Sequence, residues 1–353
     1  MRENGEAAYR ILDASANRAT EGMRTIEEYV RFALDESSLT EVAKQLRHDL
    51  AAAVGRLPRL ELIAHRDTDS DVGTEVETTT EYQRASIHEV IRAAAERVQQ
   101  SMRVMEEYGK TINVEFARDV EAIRYRVYSF HRDVELASAT SDRKQRLARA
   151  NLYVLMECLP SEEEFIATLR SLSAAGVDIV QLRDKQADDR TVFERAKIAS
   201  KVARDSDMLL IINDRPDIAA VSNADGVHVG QSELPVDDAK RIVGPGRLVG
   251  VSTHDIEQVH DAIASGADYI GCGPTFPGQT KSFARFPGCG FLREVHAGTV
   301  RTPLPAFAIG GIGATNIDQV IDSGFHRIAV SGAVMNADDP AKAADELKRR
   351  LAV

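Results

Sequence analysis

The segment VQLRDK at residues 180–185 places three polar side chains on alternate positions immediately after an apolar run. The three are Gln181, Arg183 and Lys185. Because side chains alternate between the two sides of a strand, these groups are predicted to share one side. Two cations beside an amide are suited to binding an anion. Taken alone, however, Arg183 and Lys185 are equally compatible with solvated loop charges.

Further polar side chains follow the apolar segments that come next in the sequence. They are Asn213 and Asp214, Gln231 and Glu233, Ser252 and His254, and Thr280 and Lys281. Asp214 and Glu233 add two carboxylates to a set that otherwise offers cations and neutral hydrogen-bonding groups. Mg²⁺ takes one or two protein carboxylates and completes its octahedron with water and substrate oxygens. The set therefore predicts Mg²⁺ that bridges to a pyrophosphate.

Glycines follow the last two apolar segments, in AIGGIGATN and VSGAV. Gly310, Gly311 and Gly332 would expose backbone N–H groups at helix starts, where unpaired donors and the helix dipole favour a phosphate. The alternative is that these glycines only form tight turns between strand and helix. Together with the pyrophosphate groups, they predict a site for two phosphorylated molecules.

The elements that would hold these residues lie between residues 151 and 353. Strand-like runs alternate there with helical segments, and the runs are LYVLM, IVQLR, LLIIN, GVHV, LVGVS, YIGCG, AFAIGG and RIAVSG. Eight such units predict an α/β fold, a closed parallel (β/α)₈ TIM barrel with its polar residues at the C-terminal mouth. An open doubly wound sheet is the alternative, but it rarely needs eight evenly spaced strands, and no GxGxxG follows the first run.

Residues 1–137 have apolar residues three and four positions apart, a pattern that predicts helices. The stretch NRATEGMRTIEEY at 17–29 matches ERVQQSMRVMEEY at 96–108 at six of thirteen positions. We therefore expect two helical hairpins from a duplication, packed as an antiparallel all-α bundle. The polar segment 65–84 is expected to be a loop between the copies, and the charged segment 138–150 a linker to the barrel domain.

The composition limits the partners and the compartment. A chain of 353 residues predicts two domains. The formal net charge of −11 argues against general binding to nucleic acid or anionic membranes and favours a small-molecule partner. Cys158, Cys272 and Cys289 lie far apart without a CxxC pair, which is typical of a reducing cytoplasm. With no signal-peptide or membrane-spanning pattern, we expect a cytoplasmic protein whose state as a homo-oligomer stays open.

Seven motifs follow one another at barrel spacing: QLRDK, NDRPDIA, ADGVHVGQSELP, GVSTH, ADYIGCGPTFPGQTKS, AIGGI and AVSGAV. In this order they resemble the thiamine-phosphate synthase family. The resemblance covers residues 151–353, and the ordered set is far more specific than any single motif. It implies a transferase of thiamine biosynthesis that joins hydroxymethylpyrimidine pyrophosphate to a thiazole phosphate. Pyrophosphate would leave in a dissociative substitution assisted by Mg²⁺.

The resemblance also implies a role for each motif residue. The residues implied to hold the pyrimidine pyrophosphate are Gln181, Arg183, Lys185, Asn213, Ser252 and Lys281. Those implied to hold the thiazole phosphate are Thr280, Gly310, Gly311 and Ser331, next to Gly332. Mg²⁺ would be bound by Asp214 and Glu233. Arg183, Lys185, Ser252 and Lys281 are expected to act in catalysis, and Cys272 is expected to pack rather than react.

Two positions depart from the family pattern. Glu233 stands where aspartate is common and lengthens one metal ligand by a methylene, and Gly278 stands where threonine is common and removes a hydroxyl. Two alternatives are a thiazole tautomerase-like barrel, which shares the phosphate site but not the full pyrophosphate set, and a non-catalytic ligand-binding barrel. The full set of charges favours the synthase.

The helical half resembles a domain that is fused ahead of the synthase in some bacterial proteins. Besides a plain scaffold, three roles are considered: a second enzyme such as a pyrimidine-phosphate kinase, an oligomerisation module, and a ligand sensor. Charged residues such as Asp13, Arg24, Glu27 and Arg47 crowd the first copy of the repeat. A kinase would need an unfamiliar nucleotide site, because the sequence contains no GxxxxGK[ST] motif.

Overall fold

The structure is a computed structural model that describes residues 2–66, 84, 86–277, 286–297 and 304–352. The chain divides into two compact units, Met1–Ala139 and Thr140–Val353. Most of the polar segment 65–84 lies outside the described residues. Within the described part of the chain, no helix is long and apolar enough to cross a membrane.

The first unit is built of helices, as the periodicity predicted. They are α1 (Arg2–Phe32), α2 (Ser37–Val54), α3 (Arg59–Ala64), α4 (Ile87–Ile112) and α5 (Val114–Arg149), the last of which continues into the second unit. Leu12, Met23, Val98 and Met102 belong to its buried apolar core. Helix α1 packs along α4 at close range, since a Cβ at Gly22 would lie 2.6 Å from Val98 Cγ2.

The two copies of the sequence repeat make equivalent contacts. In the first copy, the buried Glu27 on α1 accepts a hydrogen bond from Arg47 Nε on α2 at 2.9 Å. In the second, the buried Glu106 on α4 accepts one from Arg124 Nε on α5 at 2.8 Å. A buried carboxylate needs a cationic partner, so the repeated Glu and Arg positions tie the two helices of each hairpin together.

The second unit is a closed parallel barrel in the strand order β1 to β8, which confirms the predicted fold. The strands are β1 (Leu152–Met156), β2 (Ile179–Leu182), β3 (Leu209–Asn213), β4 (Gly226–Val229), β5 (Leu248–Thr253), β6 (Tyr269–Cys272), β7 (Ala306–Ile309) and β8 (Ile328–Val330). The barrel closes where β1 pairs with β8, with Val154 opposite Val330. Nearly continuous apolar strands are expected because helices cover the outer face and side chains fill the interior.

Helices follow the strands and cover the barrel. They are α6 (Glu162–Ala174), α7 (Asp189–Arg204), α8 (Pro216–Val221), α9 (Val236–Val243), α10 (Ile256–Ala264), α11 (Gly288–Ala297), α12 (Ile317–Ile321), α13 (Gly332–Met335) and α14 (Pro340–Leu351). Several begin at a side chain that accepts a backbone N–H, such as Ser161 for α6 and Asp188 for α7. These caps define where each helix starts after its strand.

The segment 138–150, which we assigned to a linker, forms the C-terminal turns of α5 up to Arg149. One of the charges that suggested a linker has a partner, since Arg143 Nε donates to Asp225 at 2.9 Å. In addition, Arg327 Nη1 donates to the backbone carbonyl of Ala150 at 2.6 Å. Leu147 is buried with the apolar side chains of the barrel interior. The end of α5 therefore packs on the barrel through Leu147, while charged residues such as Lys144 and Arg149 are exposed.

Candidate active site

Most of the described strand-end residues that the sequence singled out, though not Gln231, line one cavity of about 780 Å³ at the C-terminal ends of the strands. They are Gln181, Arg183, Lys185, Asn213, Asp214, Glu233, Ser252, Gly310, Gly311, Ser331 and Gly332. Thr280 and Lys281, together with Gly278, lie outside the described residues. The barrel thus brings together groups that are up to 151 positions apart in the sequence.

The turn after β2 carries Arg183 and Lys185 into the cavity lining and is held by Asp184. The Asp184 carboxylate accepts backbone N–H bonds from Cys158 at 3.1 Å and from Gln186 and Ala187 at 2.9 Å each. Burial raises the pKa of Asp184, but these hydrogen bonds outweigh it and hold the pKa below its usual range. Asp184 thus accepts the backbone hydrogen bonds that hold the turn, a role that we did not predict.

Asp214 occupies a left-handed backbone position (φ 60°) at the end of β3. Its N–H donates to the carbonyl of His228 at 2.8 Å, and its Oδ2 accepts from Asn213 Nδ2 at 2.7 Å. Burial and the charge of Glu233 raise the pKa of the Asp214 carboxyl, against the opposing effects of Asn213 and the nearby cations. When a buried carboxylate lies next to a second carboxylate, a nearby positive charge stabilises its ionised form.

Glu233 follows β4 and folds back over Gly230. A Cβ at Gly230 would lie 2.2 Å from Glu233 Oε2, so glycine leaves room for this carboxylate. Ser232 Oγ donates to Glu233 Oε1 at 3.1 Å. Gln231, which precedes them, donates from Nε2 to the backbone carbonyl of Ser252 at 2.6 Å. The β4 loop is therefore joined to β5 beside the cavity.

Gly310 and Gly311 follow β7 with φ angles of 101° and 64°. A Cβ at Gly310 would lie 2.7 Å from Pro274 Cβ, and one at Gly311 would lie 2.8 Å from the carbonyl of Phe276. Both positions thus need glycine for the turn and for packing against the loop after β6. Gly332 begins the short helix α13 after β8.

Cys272 on β6 is fully buried. Thr253 Oγ1 donates to Cys272 Sγ at 3.6 Å, and burial raises the pKa of the thiol to about 12. A thiol with such a pKa is not a nucleophile at neutral pH. His254, whose Nδ1 lies 2.5 Å from the carbonyl of Gly273, is part of the cavity lining.

The floor of the cavity is formed partly by residues that we did not predict, Tyr153, His228 and Tyr269. Tyr153 Oη accepts from Gln181 Nε2 at 2.7 Å, and His228 Nε2 lies 3.0 Å from Ser252 Oγ. The sequence feature that could have identified these residues is a polar group at an inward-facing position of an otherwise apolar strand. Such a group inside a barrel needs a hydrogen-bond partner.

Comparisons with known proteins agree with this geometry. The "Thiamine monophosphate synthase" family matches residues 152–334, and the "ThiD2 family" matches residues 10–133. A thiamine-phosphate synthase of Rhodopirellula baltica is 54% identical over 93% of this chain and 88% of its own length. One of Synechocystis is 38% identical over 98% and 96%.

Among solved structures, the thiamine phosphate pyrophosphorylase of Pyrococcus furiosus is similar to the barrel. It has a TM-score of 0.52 and 33% identity, and the match covers 59% of this chain and 97% of that one. Sequence motifs, barrel and relatives therefore lead to the same result. The chain belongs to the thiamine monophosphate synthase family, whose enzymes couple a pyrimidine and a thiazole moiety to give thiamine monophosphate.

Proposed function

We propose that the cavity binds hydroxymethylpyrimidine pyrophosphate together with Mg²⁺, which Asp214 and Glu233 would hold. The donor set fits this ion, because Mg²⁺ prefers carboxylate oxygens and takes few of them from the protein. The raised pKa of Asp214, caused by burial and by the charge of Glu233, supports the proposal. A divalent cation between the two carboxylates would relieve this repulsion.

Arg183 and Lys185 also line the cavity, and their positive charges act on Asp214. The proposed substrate separates into pyrophosphate and a pyrimidine cation, so negative charge grows on the departing oxygen. Bound Mg²⁺ would neutralise a further part of that charge. Fixed cations aimed at developing charge stabilise the transition state without a nucleophilic side chain. Lys281 is proposed to add a third cation, and Asn213 a neutral donor.

The second substrate, a thiazole phosphate, is proposed to bind at the ends of β7 and β8. Gly310, Gly311, Ser331 and Gly332 line this side of the cavity. Thr280 completes the proposed set from the loop after β6. With the phosphate held here, the ring nitrogen would face the pyrimidine cation, and catalysis would rest mainly on positioning.

The observation that carries the proposal is that carboxylates and cations line the same cavity, with Asp214 under the electrostatic influence of Glu233, Lys185 and Arg183. The test is a coupling assay on the full chain with synthetic pyrimidine pyrophosphate and thiazole phosphate, with and without Mg²⁺. Thiamine phosphate is followed by its fluorescence after oxidation. Arg183→Ala is expected to lower kcat/KM on the order of a hundredfold, as loss of one charge-stabilising group typically does.

Arg190→Ala is the matched control, since Arg190 is an exposed residue of α7 that is not part of the cavity lining. It is expected to keep wild-type activity. Metal-independent product formation, or equal activity of the two variants, would contradict the proposed pyrophosphate site.

For the helical unit, we propose the structural role of a plain scaffold, which its internal contacts support. Asp13 accepts two hydrogen bonds from Arg66 at 2.7 Å, and Glu27 binds Arg24 and Arg47. These ion pairs account for much of the charge that suggested a second enzyme. The test supplies the full chain with pyrimidine monophosphate, thiazole phosphate and a nucleoside triphosphate. Formation of thiamine phosphate from this mixture would support the kinase instead.

A further inference from the structure

A series of hydrogen-bonded side chains crosses the floor of the cavity from β2 to β5. Gln181 Nε2 is 2.7 Å from Tyr153 Oη, which is 3.1 Å from Tyr269 Oη. Tyr269 Oη is 3.3 Å from His228 Nδ1, and His228 Nε2 is 3.0 Å from Ser252 Oγ. The two ends of the series, Gln181 and Ser252, are proposed pyrimidine ligands.

The series is buried and its geometry is constrained by packing. Tyr153 is 2% exposed and Tyr269 is fully buried, and both rings pack edge-on against Phe307. Gly250 on β5 leaves space for the Tyr269 ring, because a Cβ there would lie 2.1 Å from Tyr269 Cζ. Burying polar groups in such a place costs free energy unless each group makes its hydrogen bonds.

The direction of the hydrogen bonds follows from counting protons. Burial raises the pKa of both Tyr153 and Tyr269 above the usual phenol value, so each oxygen carries one proton at neutral pH. Tyr153 accepts from Gln181, and because either hydroxyl of the tyrosine pair could donate, we assign the Tyr153 proton to the hydrogen bond with Tyr269, where it has an acceptor. Tyr269 in turn donates to His228 Nδ1. A neutral histidine that accepts at Nδ1 carries its proton on Nε2, which donates to Ser252 Oγ.

We propose that His228, held as the Nε2–H tautomer by Tyr269 and Tyr153, is a positioning residue that makes Ser252 a hydrogen-bond donor to the substrate ring. Ser252 accepts from His228, so its own hydroxyl hydrogen is directed to a ligand. At the other end, Gln181 uses its amide N–H for Tyr153 and offers its carbonyl Oε1 as an acceptor. This assignment rests on the proposed function of the cavity.

A donor and an acceptor presented in this way match an amino-substituted nitrogen heteroaromatic. An unprotonated ring nitrogen accepts from Ser252, and the exocyclic amine donates to Gln181. A heterocycle with the opposite pattern would leave polar groups of the floor without partners, which is heavily penalised in binding. The series would thus select the aminopyrimidine by its hydrogen-bonding pattern.

The first test measures the tautomer directly in the free full-length protein. Histidine labelled with ¹⁵N in both ring positions gives long-range ¹H–¹⁵N patterns that distinguish the two neutral tautomers, and His228→Gln identifies the His228 signals by their loss. We expect the pattern of a ring protonated on Nε2 alone. A proton on Nδ1 in the free protein would overturn the proposal.

The second test measures binding of the pyrimidine pyrophosphate and of an analogue in which the accepting ring nitrogen is replaced by C–H. The wild type is expected to bind the analogue on the order of tenfold more weakly, the usual effect of one lost hydrogen bond to a buried donor. His228→Asn, whose shorter side chain withdraws the donor from Ser252, is expected to bind both ligands equally. His228→Gln, which can extend an amide N–H to Ser252, is expected to restore discrimination.

Kinetics separate the positioning role from a structural one. Tyr269→Phe is expected to lower kcat/KM for the pyrimidine substrate about tenfold while the KM for the thiazole phosphate stays unchanged. The exposed Tyr125→Phe serves as the control. Equal loss for both substrates, or full discrimination by His228→Asn, would overturn the proposal.

These outcomes are separable from the test of the proposed function. If coupling fails to depend on Mg²⁺ and Arg183, the proposed function fails while the tautomer of His228 is still measured in the free protein. If coupling is normal and His228→Asn behaves as the wild type, the positioning role fails while the proposed function stands.

Discussion

Replacement of Asp184 by alanine tests how the turn after β2 holds its two cations. The change leaves three backbone N–H groups, those of Cys158, Gln186 and Ala187, without their carboxylate acceptor. A hydrogen bond to a charged group contributes roughly 1.5–3 kcal/mol, and water can replace part of this because Asp184 is only half-buried. We therefore expect a loss of about 2 kcal/mol in the free energy of unfolding, measured by urea denaturation.

The same change is expected to lower kcat/KM for the pyrimidine pyrophosphate between about tenfold and a hundredfold, because Arg183 and Lys185 lose their fixed placement. Asp188→Ala is the matched control. Asp188 caps α7 by accepting from the N–H of Thr191 at 2.9 Å, but it is not part of the cavity lining. Its loss should cost about 1 kcal/mol of stability and leave kcat/KM unchanged.

The pH dependence adds a second check. The pKa of Asp184 in the folded protein lies below its unfolded value, because the backbone hydrogen bonds outweigh burial. Its stabilisation is therefore fully present above about pH 4 and is lost as the pH falls through the folded pKa. The stability difference between wild type and Asp184→Ala should shrink in that acidic range. If Asp184→Ala behaves like Asp188→Ala in both stability and kcat/KM, Asp184 does not position the cations.

Further predictions concern the buried ion pair, the end of α5 and the metal ligands. Glu106→Gln should lower the free energy of unfolding by about 3 kcal/mol, because Arg124 would keep a buried charge without a carboxylate. The control Glu107→Gln, at an exposed position, should change the free energy of unfolding by less than about 0.5 kcal/mol. Arg327→Ala should lower the urea midpoint, since its side chain donates to the carbonyls of Ala150 and other residues at the end of α5; an unchanged midpoint would contradict this packing. Asp214→Asn should raise the Mg²⁺ concentration for half-maximal coupling at least about tenfold, and an unchanged metal titration would remove Asp214 from the metal site.

The barrel could be predicted from the sequence because its strands are buried on both faces. LLIIN and GVHV became β3 and β4 at the predicted residues. The polar residues at strand ends were also predictable, since parallel strands place their C-terminal ends at one mouth. Asp184 was missed because local sequence does not show whether a carboxylate faces solvent or accepts from backbone groups 26 residues away.

The fold class, the order of the strands and the set of polar groups at the mouth could be inferred from the sequence alone, because hydrophobic periodicity and side-chain alternation are local properties. Which of the polar groups bind one another depends on long-range contacts in the folded barrel. Tyr153 and Tyr269 are 116 positions apart and appear in the sequence as ordinary strand residues. Closure of the barrel brings their hydroxyl groups together with His228 in its interior, where a buried polar group must find its partner.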